Sequence, residues 1–298
     1  MTGDRAGLSF REDYFDDPGG WAAVKALLLT VFDVDVSPLD RMGGHDRTLM
    51  SSAWFDGGGR CVANLSAFAM PLVIDGRPVH AAGLQSGAVL PEYRGRGLFR
   101  DLVRRLLQRC EERGFEAIVL YTDKPGLYEP HGFVTVPEHR FVGPAPAPVD
   151  ATPTCRTLDM ADERDLSLLR GLLEERAPVS QRFSVSRNTQ TFLLNTALVE
   201  DVTLSLLPAV PAVIAWRHER ESGLFTLLDV VGTRIPTLVA ILQALGLQPR
   251  SVEIMFPPDL MEWEGEGIAE DQDLRFMLRS RPGLAPVGPV RLSPMAEF

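Results

Sequence analysis

Cysteine is scarce in this sequence of 298 residues. The three cysteines, Cys61, Cys110 and Cys155, are odd in number and form no C-x-x-C motif. The sequence therefore predicts neither a disulfide framework nor a zinc site. Buried thiols in a reducing compartment are the simplest interpretation, and we expect no metal.

Long apolar runs and positive charge are also in short supply. No uninterrupted apolar stretch reaches the roughly 18 residues of a membrane span, and the start, MTGDRAGLSF, lacks the flanks of a signal peptide. Lys and Arg number 30 against 40 Asp and Glu, a net charge of -10. This balance provides no field that would attract nucleic acid or an anionic membrane. We expect a soluble cytoplasmic protein that binds neither of them and favours cationic small molecules or peptides.

The length predicts two domains of about 150 residues each. The segment GPAPAPVDATPT, residues 143–154, holds four prolines in twelve residues, which prevents a helix or a central strand there. The expected organisation is a first domain over 1–145, a linker over 146–155, a second domain over 156–282 and a proline-rich extended tail over 283–298, whose docking is not set by the sequence.

Hydrophobic periodicity assigns the elements of the first half. Apolar residues recur at helical spacing from Trp21 to Phe32, and again from Leu98 to Cys110. Strands are predicted at Leu49–Phe55, Cys61–Ile74, Val79–Leu90, Ala117–Tyr121 and Phe133–Val142, the last of these closing the first domain.

The second half repeats the order strand, helix, strand, strand at a near-constant offset, which is what a duplicated domain would give. The corresponding segments are 225–231, 235–245, 251–256 and 274–279. We expect an α+β fold of two tandem domains. Each would be a mostly antiparallel twisted sheet flanked by helices, and the second domain would be degenerate.

The most informative string runs from Ala88 to Phe99, AVLPEYRGRGLF, a strand that passes through a Gly/Arg turn into an amphipathic helix. Glycines allow the backbone to curl tightly. The unpaired N–H groups of the turn and of the first helical residues then face one point, which makes an anion site suited to a pyrophosphate. Arg94, Arg96 and Arg100 can add charge-assisted bonds to phosphate oxygens.

This segment resembles the acetyl-CoA loop of the GNAT acetyltransferase superfamily, [Q/R]-x-x-G-x-[G/A]. Arg94 and Gly97 match, whereas Phe99 departs from the small residue usual there. The run R-G-R-G-L is similar to the enhanced intracellular survival acetyltransferases, which join two GNAT-like domains. The resemblance implies acetyl-CoA as co-substrate, held by Gly87, Ala88, Val89, Arg94, Gly95, Arg96, Gly97, Leu98, Phe99, Arg100 and Asp123.

A second match is L-Y-E-P-H-G-F, which includes Tyr128 and is similar to the Y-x-x-x-G-F segment of the family. In relatives this tyrosine protonates the departing CoA thiolate, so the resemblance implies that Tyr128 is the general acid. The alternative is an aromatic side chain packed at the sheet edge.

The resemblance implies direct attack of an amine on the thioester in a ternary complex. The general base stays open among five ionisable residues and a water relay: Asp33, Asp35, His45, His80 and Glu138. In the survival-type relatives the terminal carboxylate enters the first site, and Phe298 ends this sequence too, so its carboxylate is a further catalytic candidate.

The corresponding turn of the second half, VGTRIP from Val231 to Pro236, has a single glycine, and we expect no CoA there. The acceptor is expected to be a small-molecule or peptide amine. The sequence leaves a homo-oligomer open, and it also leaves open a catalytically silent acyl-CoA sensor.

Overall fold

A computed structural model describes residues 6–147, 153–207 and 209–298. Part of the expected linker, residues 148–152, lies outside the described residues. The strands are β1 Ser9–Glu12, β2 Met50–Phe55, β3 Cys61–Ala69, β4 Leu72–Ile74, β5 Arg77–Val79, β6 Ala81–Val89, β7 Ala117–Thr122, β8 Val134–Thr135, β9 His139–Pro144, β10 Arg156–Thr157, β11 Phe183–Val185, β12 Thr203–Leu207, β13 Ala212–Glu219, β14 Leu224–Gly232, β15 Ser251–Ile254, β16 Glu266–Ala269 and β17 Arg275–Ser280.

The helices are α1 Pro18–Phe32, α2 Leu98–Glu112, α3 Glu163–Glu174, α4 Thr189–Leu198 and α5 Leu238–Leu245. The predicted helices of the first half are confirmed as α1 and α2. Asp17 caps α1 by accepting a hydrogen bond from the Gly19 N–H, and Pro18 occupies the first turn, where its missing donor is harmless.

Two seven-stranded sheets make up most of the molecule, in the orders β1-β2-β3-β6-β7-β17-β8 and β10-β12-β13-β14-β15-β9-β16. Most neighbours are antiparallel, but β6 pairs with β7, and β14 with β15, in parallel. The α+β class and the repeated arrangement are as predicted. A smaller sheet, β11-β4-β5, joins the halves, and it explains why the predicted strand Cys61–Ile74 is broken into β3 and β4.

The halves exchange one strand each. The sixth strand of the first sheet is β17, from the second half, and the sixth strand of the second sheet is β9, from the first half. The prediction that Phe133–Val142 closes the first domain is therefore wrong, because β8 stays in the first sheet while β9 crosses to pair with β15 and β16. Sheet membership does not follow the predicted domain boundaries.

The proline-rich tail is mostly extended, with one 3-10 turn at Pro294–Ala296, and it docks against both halves. Leu292, Met295 and Ala296 are fully buried. Asn195 Nδ2 on α4 donates hydrogen bonds to the carbonyls of Pro294 and Glu297, at 3.1 and 2.7 Å. These bonds satisfy backbone acceptors that would be costly to bury unpaired.

Candidate active site

A gap opens in the first sheet where β6 and β7 diverge. The two strands pair in parallel only from Ala81 to Gly83, opposite Ala117 to Val119. On its other edge β6 carries a bulge, because Gln85 lies opposite Ser66 whereas Ala88 lies opposite Asn64. Ser86 and Gly87 of β6 therefore lie opposite Leu65 of β3, and this bulge changes the direction of the β6 backbone.

A buried polar chain holds the bulge. Ser86 has a φ of 58°, a conformation that costs a non-glycine residue about 1–2 kcal/mol. Asn64 Nδ2 donates a hydrogen bond to the Ser86 carbonyl at 2.9 Å, and the Tyr14 hydroxyl donates to Asn64 Oδ1 at 2.6 Å. Sequence reasoning missed these residues. The available signal was Asn64 and Ser66 within an otherwise apolar strand.

The Gly/Arg turn lies between β6 and α2. Gly95 and Gly97 have φ values of 77° and 73°, and no atom lies within 4 Å of the place where either would carry a Cβ. α2 begins at Leu98 without a side-chain cap, so its first N–H groups are free to bind a ligand. The turn is therefore open on the side where an anion is predicted, and the anion site itself stays a prediction.

The three arginines of this region differ in their contacts. Arg94 Nε donates to the Val89 carbonyl at 3.3 Å, and Arg96 donates to the Glu92 carbonyl at 3.1 Å while it stacks on Tyr93. Arg94 and Arg100 are exposed. Their charge is therefore available to an incoming anion beside the start of α2.

Tyr128 lies at the gap. Its side chain is only 6% exposed, and its hydroxyl lies 3.2 Å from the position of a Cβ on Gly87. Its ring packs edge-on against Phe99, with centroids 5.8 Å apart. Burial, and after it the charge of Asp123, raises the pKa of Tyr128 to about 12. The phenol is therefore protonated at neutral pH.

A cavity of about 510 Å³ extends from this gap between the two halves. Its lining includes four of the predicted site residues, Gly87, Asp123, Tyr128 and Phe298. The complete set is Phe15, Trp21, Leu28, Phe32, Val34, Val36, Leu39, His45, Asp46, Leu49, Leu65, Phe68, Leu84, Gln85, Ser86, Gly87, Tyr121, Thr122, Asp123, Tyr128, Gln190, Thr191, Leu194, Asn195, Leu198, Leu274, Glu297 and Phe298.

Of the five candidate bases, His45 alone is in the described lining of the cavity. His45 lines the cavity, with Nε2 3.3 Å from Asp16, whereas Asp33 and Asp35 lie outside that lining. His80 packs on Phe115, away from the gap.

Glu138, the fifth candidate, lies beneath the tail. It accepts a hydrogen bond from the Tyr121 hydroxyl at 2.8 Å and another from the Leu292 N–H at 3.2 Å. Burial raises the pKa of Glu138 to about 7. Tyr121 lines the cavity and thus connects this carboxyl group to it.

The ring of Phe298 lies in the cavity wall. It packs edge-on against Phe68 and Tyr121, with centroids 5.2 and 5.8 Å apart. It also lies 2.9 Å from the position of a Cβ on Gly83. Only glycine therefore leaves room for this ring at the end of the β6–β7 pairing.

The Gly/Arg turn and the Tyr128 segment resemble one family, and comparison with known proteins points to the same family. Residues 18–136 match the family model described as Acetyltransferase (GNAT) domain. This part of the chain is similar to the GNAT acetyltransferase domains, whose family transfers acyl groups from acyl-CoA. No curated protein matches the sequence.

Solved structures share the fold over nearly the whole chain. The GCN5-related N-acetyltransferase from Kribbella flavida is 19% identical with a TM-score of 0.56, covering 93% of this chain and 72% of its own. Eis1 from Mycobacterium abscessus is 16% identical with a TM-score of 0.59, covering 91% and 74%. A GCN5-related N-acetyltransferase from Anabaena variabilis is 15% identical with a TM-score of 0.58, covering 91% and 72%. The two-unit fold is thus shared with acetyltransferases that include a survival-type protein.

Among the described residues, no helix combines the length and the apolar character that crossing a bilayer requires.

Proposed function

We propose that the protein transfers an acetyl group from acetyl-CoA to a primary amine, by direct attack within a ternary complex. The observation that carries the proposal is the continuity of three features. The open Gly/Arg turn leads to the uncapped start of α2, the gap between β6 and β7 lies beside it, and Tyr128 lies in that gap.

The co-substrate would lie along β6 and the turn. The N–H groups of Gly95, Gly97, Leu98 and Phe99 would hold the pyrophosphate, with Arg94, Arg96 and Arg100 as cationic partners. The pantetheine arm would be held by the backbone of Gly87, Ala88 and Val89 on β6. Asp123, which follows β7, would lie on the other side of the gap. A backbone N–H at the bulge would polarise the thioester carbonyl.

In the reaction the amine nitrogen attacks the thioester carbonyl carbon and loses a proton, and the C–S bond breaks as the amide forms. Tyr128 would donate its proton to the leaving sulfur. A phenol with a pKa of about 12 is a weak acid towards an ordinary thiolate. Burial penalises the thiolate as well, however, so its proton affinity rises in the same environment.

The proton released by the amine needs an acceptor. His45 lines the cavity and is the first candidate. The carboxylate of Phe298, proposed from the family resemblance, is the second, because the ring of that residue lies in the same cavity wall.

Calorimetric titration with acetyl-CoA tests the proposal, with a matched pair of variants on one helix. Gly97 and Gly114 flank α2, have φ values of 73° and 74°, and have no atom within 4 Å of a Cβ. Gly97→Trp and Gly114→Trp therefore carry the same backbone strain. We expect the first to abolish binding, because it fills the turn, and the second to retain it.

If the wild type does not bind acetyl-CoA, or if both variants bind it equally well, the proposed site is wrong. Binding that Gly97→Trp alone removes would locate the co-substrate at the turn.

A further inference from the structure

The cavity has an apolar wall that the acetyl-transfer chemistry does not require. On one side α1 contributes Trp21, Leu28 and Phe32, which share a face of the helix. Val34, Val36 and Leu39 extend this wall beyond the end of α1. Transfer of the acetyl group takes place at Tyr128, so these residues would meet the acceptor instead.

The second half supplies the rest of the apolar wall. Leu194 and Leu198 lie one turn apart on α4, and Leu274 precedes β17. Phe32, Leu198 and Leu274 are 48%, 41% and 52% exposed, although all three line the cavity. Large apolar side chains left in water around one cavity mark a surface that a ligand covers.

The charges in the cavity are few, and two of its carboxylates are paired with cations. The side-chain carboxylates in the lining are Asp46, Asp123 and Glu297, Phe298 adds its terminal carboxylate, and no Lys or Arg is among the described lining residues. Asp46 accepts hydrogen bonds from the N–H and the hydroxyl of Thr48. Asp123 pairs with Lys124 and Glu297 with Arg291, at 3.0 and 3.2 Å. A polycation would find few free carboxylates for its several charges here, whereas a single ammonium group needs only one and meets no Lys or Arg among the described lining residues.

We infer that the acceptor is a small primary amine carried on an apolar body, of the arylalkylamine or alkylamine class. This inference rests on the proposed function and names the substrate class of the same site. The volume of about 510 Å³ lies within the range of about 300–1,000 Å³ for small-molecule pockets. The acidic composition of the chain favours a cationic acceptor. The apolar wall and the few carboxylates of the cavity favour an acceptor with a single positive charge on an apolar group.

The test measures thiol release from acetyl-CoA by the full chain with matched acceptors. The set is propylamine, pentylamine, heptylamine and 2-phenylethylamine, with spermidine and a lysine peptide as polar competitors. We expect kcat/KM to rise about threefold to fourfold for each added methylene that is buried, and to be lowest for spermidine and the peptide. A flat series, or a preference for spermidine, would overturn the inference.

Two substitutions on α1 provide a matched control. Phe32 and Leu29 are 48% and 51% exposed, but only Phe32 lines the cavity. Phe32→Ser is expected to reduce the ratio of kcat/KM for heptylamine over propylamine about tenfold, and Leu29→Ser to leave it unchanged. Equal effects of the two variants would contradict the inference.

Calorimetry with acetyl-CoA distinguishes a failure of the proposed function from a failure of the inferred acceptor class. No binding by the wild type overturns the proposed function and the inference together. Binding with turnover of spermidine but not of heptylamine overturns the inference alone.

Discussion

The two halves share one topology, but they differ where the parallel pairing ends, between β6 and β7 in the first half and between β14 and β15 in the second. In the second half β14 and β15 pair from Leu224 to Leu227, and a bulge follows, as in β6. There the carboxylate of Asp229 is fully buried. It pairs with Arg176 at 2.6 Å and accepts a hydrogen bond from Ser293 at 2.8 Å. The protein's own side chains thus fill what the first half leaves open.

The helices that follow the two gaps differ in the same way. α2 starts without a cap after two glycines of positive φ. α5 starts after Pro236, and Thr237 Oγ1 accepts a hydrogen bond from the Ala240 N–H at 3.2 Å. The Leu238 N–H donates to the Met261 carbonyl at 3.0 Å. Because these donors are already used, the start of α5 offers no comparable anion site, and the shared fold does not imply a shared function.

The largest effect is expected for Tyr128→Phe, which removes the proposed acid from the open gap. General acid catalysis contributes about 10²- to 10⁴-fold, so kcat should fall by that factor while the affinity for acetyl-CoA is kept. Thiol-release kinetics and calorimetry measure the two quantities. An unchanged kcat would remove the catalytic role of Tyr128 and leave the packed-aromatic interpretation.

The filled gap is tested by Arg176→Met, which leaves the buried Asp229 without its cation. Both side chains of this pair are 0% exposed, and breaking such a pair costs about 3–5 kcal/mol. Urea unfolding should show this loss, whereas the control Arg275→Met, in an exposed pair with Asp271, should cost less than about 1 kcal/mol. If the folded Arg176→Met protein loses acetyl-CoA affinity, the two gaps are not independent.

The sequence predicts local structure well where periodicity and turn chemistry decide it. The stripe from Leu98 to Cys110 and the glycines before it define α2 and its open start. The same reasoning identified the lone glycine of the second turn. It did not use the local N-cap at Thr237, which Thr before an apolar helical stripe indicates. It could not show that Met261 also closes that turn, because the bond from Leu238 to Met261 joins residues distant along the chain.

The strand exchange and the cavity walls were not predictable for the same reason. Nothing in the run from Phe133 to Val142 shows that its second part crosses to another sheet, since pairing partners are set by tertiary packing. The places of Phe298 and Leu198 in the cavity likewise depend on where the tail and α4 dock. Motif resemblance located Tyr128, but it did not reveal Asn64 or Ser86.

The free energy of unfolding is expected to depend on pH through Glu138, which lies beneath the tail. Because burial raises the pKa of Glu138 from 4.5 to about 7, the folded state keeps this proton while the unfolded state releases it. The contribution of Glu138 to the free energy of unfolding is therefore fully present below about pH 4.5 and is lost as the pH rises to about 7. Glu138→Gln keeps an acceptor oxygen for Tyr121 and removes the titration.

We expect Glu138→Gln to match the wild type near pH 4 and to exceed its free energy of unfolding at pH 8 by on the order of 1–3 kcal/mol. Urea titrations at both pH values measure this difference. A smaller fall with pH should persist in the variant, because burial also raises the pKa of Glu297. Parallel pH profiles for the two proteins would show that Glu138 does not titrate in this range.

The smallest effect is expected for Thr237→Ala, which opens the start of α5. Loss of a side-chain N-cap costs about 1 kcal/mol, so the urea midpoint should fall slightly. The affinity for acetyl-CoA should not change, because α5 also lacks the two positive-φ glycines that let a ligand approach α2. Calorimetry beside Gly97→Trp makes the contrast direct. If Thr237→Ala altered acetyl-CoA binding, the start of α5 would contribute to a nucleotide site, and the difference between the two halves would be one of degree.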